Sequence, residues 1–165
     1  YSDCPLEEIK SIALDYQSRT SVMLTKVLVK NFWKIKVSFD QTTLGYINTI
    51  KGTKAGLVIG DRAFDLNGSF PYEYDLAEEW FKFSGLPFVF ACWVANKPLE
   101  SFFVNQFSEA LNVGLGNKEK AIMDWHENEN SSIDLKSYLN DAISYDLSES
   151  KKLALKTFLE LAASL

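Results

Sequence analysis

Only two cysteines and one histidine occur in the 165 residues. Cys4 and Cys92 lack the spacing of metal ligands, and two unpaired thiols point by default to a reducing, cytoplasmic setting. His126 has no serine or cysteine nucleophile signature beside it. It sits near the end of an expected helix, where a charged imidazole favours the dipole. No long basic run is present and the formal charge is −5, which argues against a nucleic-acid partner. The longest apolar run, residues 86–95, is too short to span a bilayer, so no membrane partner is expected. Gly114-Leu115-Gly116-Asn117 resembles a helix stop and is neither a Walker loop nor a dinucleotide fingerprint. No internal repeat is visible, and nothing calls for a metal or an organic cofactor.

What the chain does contain is apolar and aromatic. A hydrophobic content of 47% is ordinary for a globular domain, and the length suffices for a sizeable core. Aromatics make up 14%, and 12 of them are phenylalanines. The first half alternates strand and helix: strands at 11–15, 36–40 and 55–60, a helix at 19–33, and a short turn or helix at 44–51. Asp75 caps a helix reaching Ser84, with Gly85 as its stop. The run 86–95 lacks polar alternation and reads as a fully buried strand. After Pro98 the pattern turns helical, at 99–113, 118–126, 133–142 and 148–163. In the last of these, Leu155, Phe158, Leu159 and Ala162 recur at the spacing of one buried face. The stretch 127–132 reads as a solvated loop. The Glu78-Glu79 and Lys151-Lys152 pairs read as solvated faces.

Two stretches suggest a ligand. In Ser18-Arg19-Thr20-Ser21 a polar turn leaves the first strand and opens an apolar helix. The first four N–H groups of a helix have no partner inside it, and the peptide dipoles place partial positive charge there. Ser18, Thr20 and Ser21 add hydroxyls, and Arg19 adds a guanidinium suited to carboxylates. The segment reads as a receiver for a small organic anion; the plainer reading is a Ser18 cap with Arg19 solvated. The second stretch, Gly60-Asp61-Arg62-Ala63, follows the apolar run 55–59. In open α/β sheets, ligands bind beyond the carboxyl ends of strands. Gly60 permits close approach, and Asp61 can accept from a substrate hydroxyl or from Arg62.

These residues carry a family likeness. Ser18-Arg19-Thr20-Ser21-Val22, residues 56–63 (Gly-Leu-Val-Ile-Gly-Asp-Arg-Ala), Asp75-Leu76, Trp80, and residues 85–91 with Trp93 come in the order seen in chorismate dehydratases. Residues 143–147 followed by a helix also fit. The chain thus resembles that family of the futalosine route to menaquinone from about Ser2 to its end. The resemblance implies a type II periplasmic-binding-protein-like α/β fold, two lobes with the ligand between them. Residues 1–93 would be the second lobe. Residues 94–165 would be a helical segment returning to a first lobe that these residues do not include. Family members are longer, and an Asn-containing segment of their first lobe helps form the catalytic face. The sequence begins at Tyr1 without an initiator Met, so a fragment is expected, inactive by itself, and the lack of a visible signal peptide is uninformative. With that lobe absent, Phe102, Phe103, Phe107, Leu111 and Trp125 would either form an uncovered apolar face or, as aromatics at helical spacing usually do, pack on one another.

The implied reaction is a cofactor-free dehydration by a hydro-lyase. Chorismate loses water and a ring proton to give 3-[(1-carboxyvinyl)oxy]benzoate. Aromatisation supplies much of the driving force, leaving positioning and charge stabilisation to the protein. The resemblance assigns Ser18, Thr20 and Ser21, with local N–H groups, to a carboxylate of this small dicarboxylate substrate. Arg19 pairs with it or braces the turn. Gly60 and Asp61 complete the substrate-binding set, and Asp61 is the sole, weak catalytic candidate, awkwardly placed beside a dianion. Two alternatives remain open: the sister 1,4-dihydroxy-6-naphthoate synthase, which shares the fold, and a non-catalytic lobe that binds a small anionic solute.

Overall fold

The computed structural model describes residues 1–126 and 134–165 and is mixed α/β, with a small parallel sheet and helices. In chain order the elements are β1 (Ser11–Leu14), α1 (Arg19–Leu28), β2 (Ser38–Gln41), β3 (Lys54–Gly56), α2 (Asp61–Phe64), α3 (Leu76–Ser84), α4 (Ser101–Gly116), α5 (Lys118–His126), α6 (Leu135–Ser137) and α7 (Glu149–Ala163). A π-helical turn, Val29–Trp33, extends α1, and another, Tyr138–Ala142, extends α6. Contacts divide the chain into two compact units, Tyr1–Ala91 with Leu147–Leu165, and Cys92–Asp146. Among the described residues, no helix is long and apolar enough to cross a membrane.

The first unit holds the sheet, in the order β2-β1-β3 with every pairing parallel. Ser11 faces Ser38 on one side and Lys54 on the other. Because β1 is central, both its faces are covered, and alternate side chains enter different clusters. Ile12 and Leu14 pack with Cys4, Ile9, Val29, Ala55 and Leu57. Ala13 turns the other way, toward Tyr46, Ile50 and Val58. Leu24, Val27 and Leu28 of α1 meet Trp80 of α3 and Phe158 of α7 in a third cluster. The four-residue spacing of Leu24 and Leu28 puts them on one face of α1, and that face is what the two other helices bury.

Local signals set the helix ends. Asp75 accepts from the N–H groups of Ala77 and Glu78, and Gly85 stops α3 in the left-handed region at φ 70°, donating to the Phe81 carbonyl. Ser148 accepts from the Lys151 N–H at the start of α7, and α4 stops at Gly116 with Asn117 as its cap.

Three expectations are corrected. Residues 86–95 form no strand, and 90–95 are exposed. An apolar run states that side chains want burial without saying how the backbone pairs. Here Phe88 satisfies it, its ring 5.5 Å from Trp80 and 4.9 Å from Phe158, both edge-on. The third strand is also shorter than the expected 55–60, its ladder ending at Gly56. Glu79 is buried rather than solvated: it accepts from Trp33 Nε1 and from Lys82 Nζ, each at 2.7 Å.

In the second unit, α4 buries no residue. Phe103 and Phe107 stack at 6.1 Å, and Trp93 meets Phe107 edge-on at 5.3 Å. Phe102, Phe103, Leu111 and Trp125 nonetheless stay exposed, so mutual packing does not cover this face. The expected loop 127–132 and residue 133 of the expected helix lie outside the described residues.

Candidate functional site

The three parallel strands send their carboxyl ends to one rim of the sheet. The turn after β1 opens α1 there, and the turn after β3 opens α2. Asp15 joins them. It follows directly on Leu14, and its side chain is fully buried. Arg62 Nη2 lies 2.8 Å from Asp15 Oδ2 and 3.1 Å from Oδ1. Asp15 also accepts from the backbone N–H of Gln17 at 2.9 Å and of Ile59 at 3.2 Å. The Tyr46 hydroxyl is 2.8 Å from Oδ2 and also reaches the Leu57 carbonyl, so its one proton lies between two acceptors.

Electrostatics follow from this packing. Burial pushes the Asp15 carboxyl up, but the Gln17 N–H, the Tyr46 hydroxyl and Arg62 outweigh it and hold the carboxyl below its usual value. Tyr46 moves the other way: burial and the adjacent carboxylate both disfavour its phenolate. Burial opposes the charge of Arg62, and Asp15 more than restores it. A buried charge is tolerated only when paired and hydrogen-bonded, and Asp15 has both.

The helix start is built as a cap. Ser18 Oγ accepts from the Ser21 N–H at 3.0 Å and donates to Ser21 Oγ at 2.9 Å. Ser21 is buried, Ser18 and Thr20 are half-buried, and Arg19 is exposed. The first helical bond runs from the Val22 N–H to the Ser18 carbonyl, so the N–H groups of Arg19 and Thr20 lie ahead of it, pointing out of the helix. At the second turn, Gly60 has φ 66° and ψ −156°, a conformation open essentially only to glycine. Asp61 beyond it is exposed.

Both turns lie at this rim, Ser18, Arg19, Thr20 and Ser21 in one and Gly60 and Asp61 in the other, and Arg62 joins them through Asp15 and Gln17. One expected contact is different: Arg62 binds Asp15, not Asp61. A fully desolvated carboxylate gains more from a guanidinium than an exposed one does. Asp15, Tyr46, Gln17 and Arg62 were not foreseen as site residues. The available signal was a charged residue set immediately after the apolar Ile12-Ala13-Leu14. His126 ends α5 in the other unit.

The family model for menaquinone biosynthesis matches residues 2–164, nearly the whole chain. The chain belongs to the menaquinone biosynthesis family. Membership supports a role in menaquinone synthesis, and an enzymatic one.

Proposed function

We propose that the chain supplies the second lobe of a chorismate dehydratase, a hydro-lyase of the futalosine route, in the type II periplasmic-binding-protein-like fold. The observation that carries this reading is the meeting of the two turns through Asp15 and Arg62 at one sheet rim, in a chain of the menaquinone biosynthesis family. A first lobe of the same protein supplies the other wall of the cleft.

The chemistry follows from charge and position. Chorismate is a dianion, and its dehydration to 3-[(1-carboxyvinyl)oxy]benzoate breaks the C–O bond of the ring hydroxyl and removes a ring proton. The outward N–H groups of Arg19 and Thr20, the Thr20 hydroxyl and the Arg19 guanidinium hold one carboxylate. Ser18 keeps that helix start rigid, and the buried Ser21 hydroxyl braces Ser18. Gly60 lets the ring approach the backbone, and Asp61 accepts from the ring hydroxyl and fixes its position; the hydroxide released from the ring and the ring proton removed together make up the water lost. Closure of the cleft excludes solvent and strengthens these contacts.

Equilibrium titration of the protein with chorismate tests this reading. Saturable binding that 3-[(1-carboxyvinyl)oxy]benzoate competes away is the expected result. Failure of both compounds to bind the folded protein would remove it.

A further inference from the structure

The geometry points to Arg62 and Tyr16 as a subsite that reads a ring-bearing carboxylate. The inference deepens the proposed function and rests on the same rim, but it names residues which that reading does not.

Every hydrogen bond of the Arg62 guanidinium to the described residues passes through one nitrogen, Nη2. That atom donates to both oxygens of Asp15 and, at 2.8 Å, to Gln17 Oε1. The Nε and Nη1 donors remain, on a side chain that is 29% exposed. Asp15 does not consume the whole cation, because the Gln17 and Ile59 N–H groups and the Tyr46 hydroxyl already serve its oxygens. The guanidinium is therefore anchored at one corner and offers the others. An anchored, partly desolvated cation has lost its rotamer freedom before any ligand arrives, which is the condition for strong recognition.

Tyr16 completes the subsite. Its ring is 43% exposed, and the Arg62 Cζ lies 5.4 Å from the ring centroid. The same Gln17 amide serves both residues, accepting from Arg62 through Oε1 and lying 3.4 Å from the Tyr16 hydroxyl through Nε2. Tyr46 backs the pair, edge-on to Tyr16 at 6.4 Å and with its centroid 6.0 Å from Arg62 Cζ. The Arg62 guanidinium covers part of the Tyr16 ring, and the part left exposed, beside the Nε and Nη1 donors, matches a six-membered ring carrying a carboxylate: the ring packs against the exposed part of Tyr16 and the carboxylate meets Arg62. A lysine could not replace this arginine, because its single ammonium would be spent on Asp15.

Isothermal titration of the full protein with benzoate, and with benzamide as its uncharged counterpart, is the test. Wild type is expected to prefer benzoate. Arg62→Gln and Arg62→Lys should each weaken benzoate by roughly tenfold or more, the loss of one charge-assisted hydrogen bond, and weaken benzamide, which offers only a neutral carbonyl, by clearly less. Tyr16→Leu should weaken both. Thermal melts establish that each variant is folded, and the lysine variant keeps a cation opposite Asp15 should the glutamine variant unfold. Unchanged benzoate affinity in a folded Arg62 variant, or no preference for benzoate in wild type, would overturn the inference. Arg62-dependent benzoate binding without any binding of chorismate would overturn the proposed function and leave this subsite standing. Chorismate turnover with a KM unmoved by Arg62→Lys would overturn the subsite alone.

Discussion

Arg62 and Asp15, 47 residues apart in sequence, form a two-point contact at 2.8 and 3.1 Å between a partly exposed guanidinium and a fully buried carboxylate. The pair ties the turn after β1 to the turn after β3. It thereby fixes the spacing of the two segments that the rim offers to a ligand. Removing either partner should loosen the rim as well as the fold, since a buried charge left unpaired costs more than the pair contributes when intact.

Acid should expose the role of Asp15. Its carboxyl is held below the ordinary value in the folded state, so its stabilisation is complete above the unfolded pKa of about 3.9 and is lost as pH falls through the folded value. Asp15→Asn should cost roughly 2 kcal/mol near neutral pH, allowing for the solvent around Arg62. The wild-type and variant stabilities should converge in strong acid. Urea melts from neutral pH down to about pH 3 check this; a constant gap between the two curves would show that Asp15 is not the titrating group.

Glu79 and Glu78 should behave differently although they are neighbours. Glu79→Ala leaves the Trp33 indole N–H without its acceptor and should cost about 1–3 kcal/mol. Glu78, whose side chain is 73% exposed, should change stability by no more than about 0.5 kcal/mol when replaced by alanine. Thermal denaturation of the two variants side by side gives the comparison.

Gly56 closes the ladder of β3 against Ile50. A Cβ there would overlap the Cδ1 and Cγ1 atoms of Ile50, itself buried. Gly56→Ala should destabilise by roughly 1–3 kcal/mol, the usual cost of overpacking a core. Shortening the neighbour in the double variant Gly56→Ala, Ile50→Val should recover part of that loss; denaturant midpoints decide it.

Ser18 and Thr20 should separate stability from binding. Ser18→Ala removes a cap and should cost about 1 kcal/mol in melting. Thr20→Ala should melt within about 0.5 kcal/mol of wild type, yet lose roughly tenfold or more in affinity for chorismate through a missing charge-assisted hydrogen bond. If Ser18→Ala and Thr20→Ala both melt early and retain full affinity, the helix start is a cap and nothing more.

What was legible in the sequence was local. Ser18, Asp75 and Gly85 each act on N–H or C=O groups within a few residues, so their spacing alone predicts their roles. The order of strands and helices through residue 84 was readable for the same reason, except for the short α2, which reads in sequence as a turn. Asp15 was not, because its partners Arg62, Tyr46 and Ile59 come from other elements and meet only once the sheet forms. Glu79 looked like half of a solvated acidic pair for the same cause, its acceptor role set by Trp33 46 residues away. The run 86–95 misled in the opposite sense: its hydrophobicity is used by Phe88 against two rings rather than by a strand against a sheet.

Chromatography of chorismate incubated with the full protein tests the central claim most directly. The account predicts that chorismate disappears and 3-[(1-carboxyvinyl)oxy]benzoate appears in equal amount, without added metal or cofactor, and that Thr20→Ala slows the conversion. Chorismate recovered unchanged from a folded protein that binds it would contradict the account.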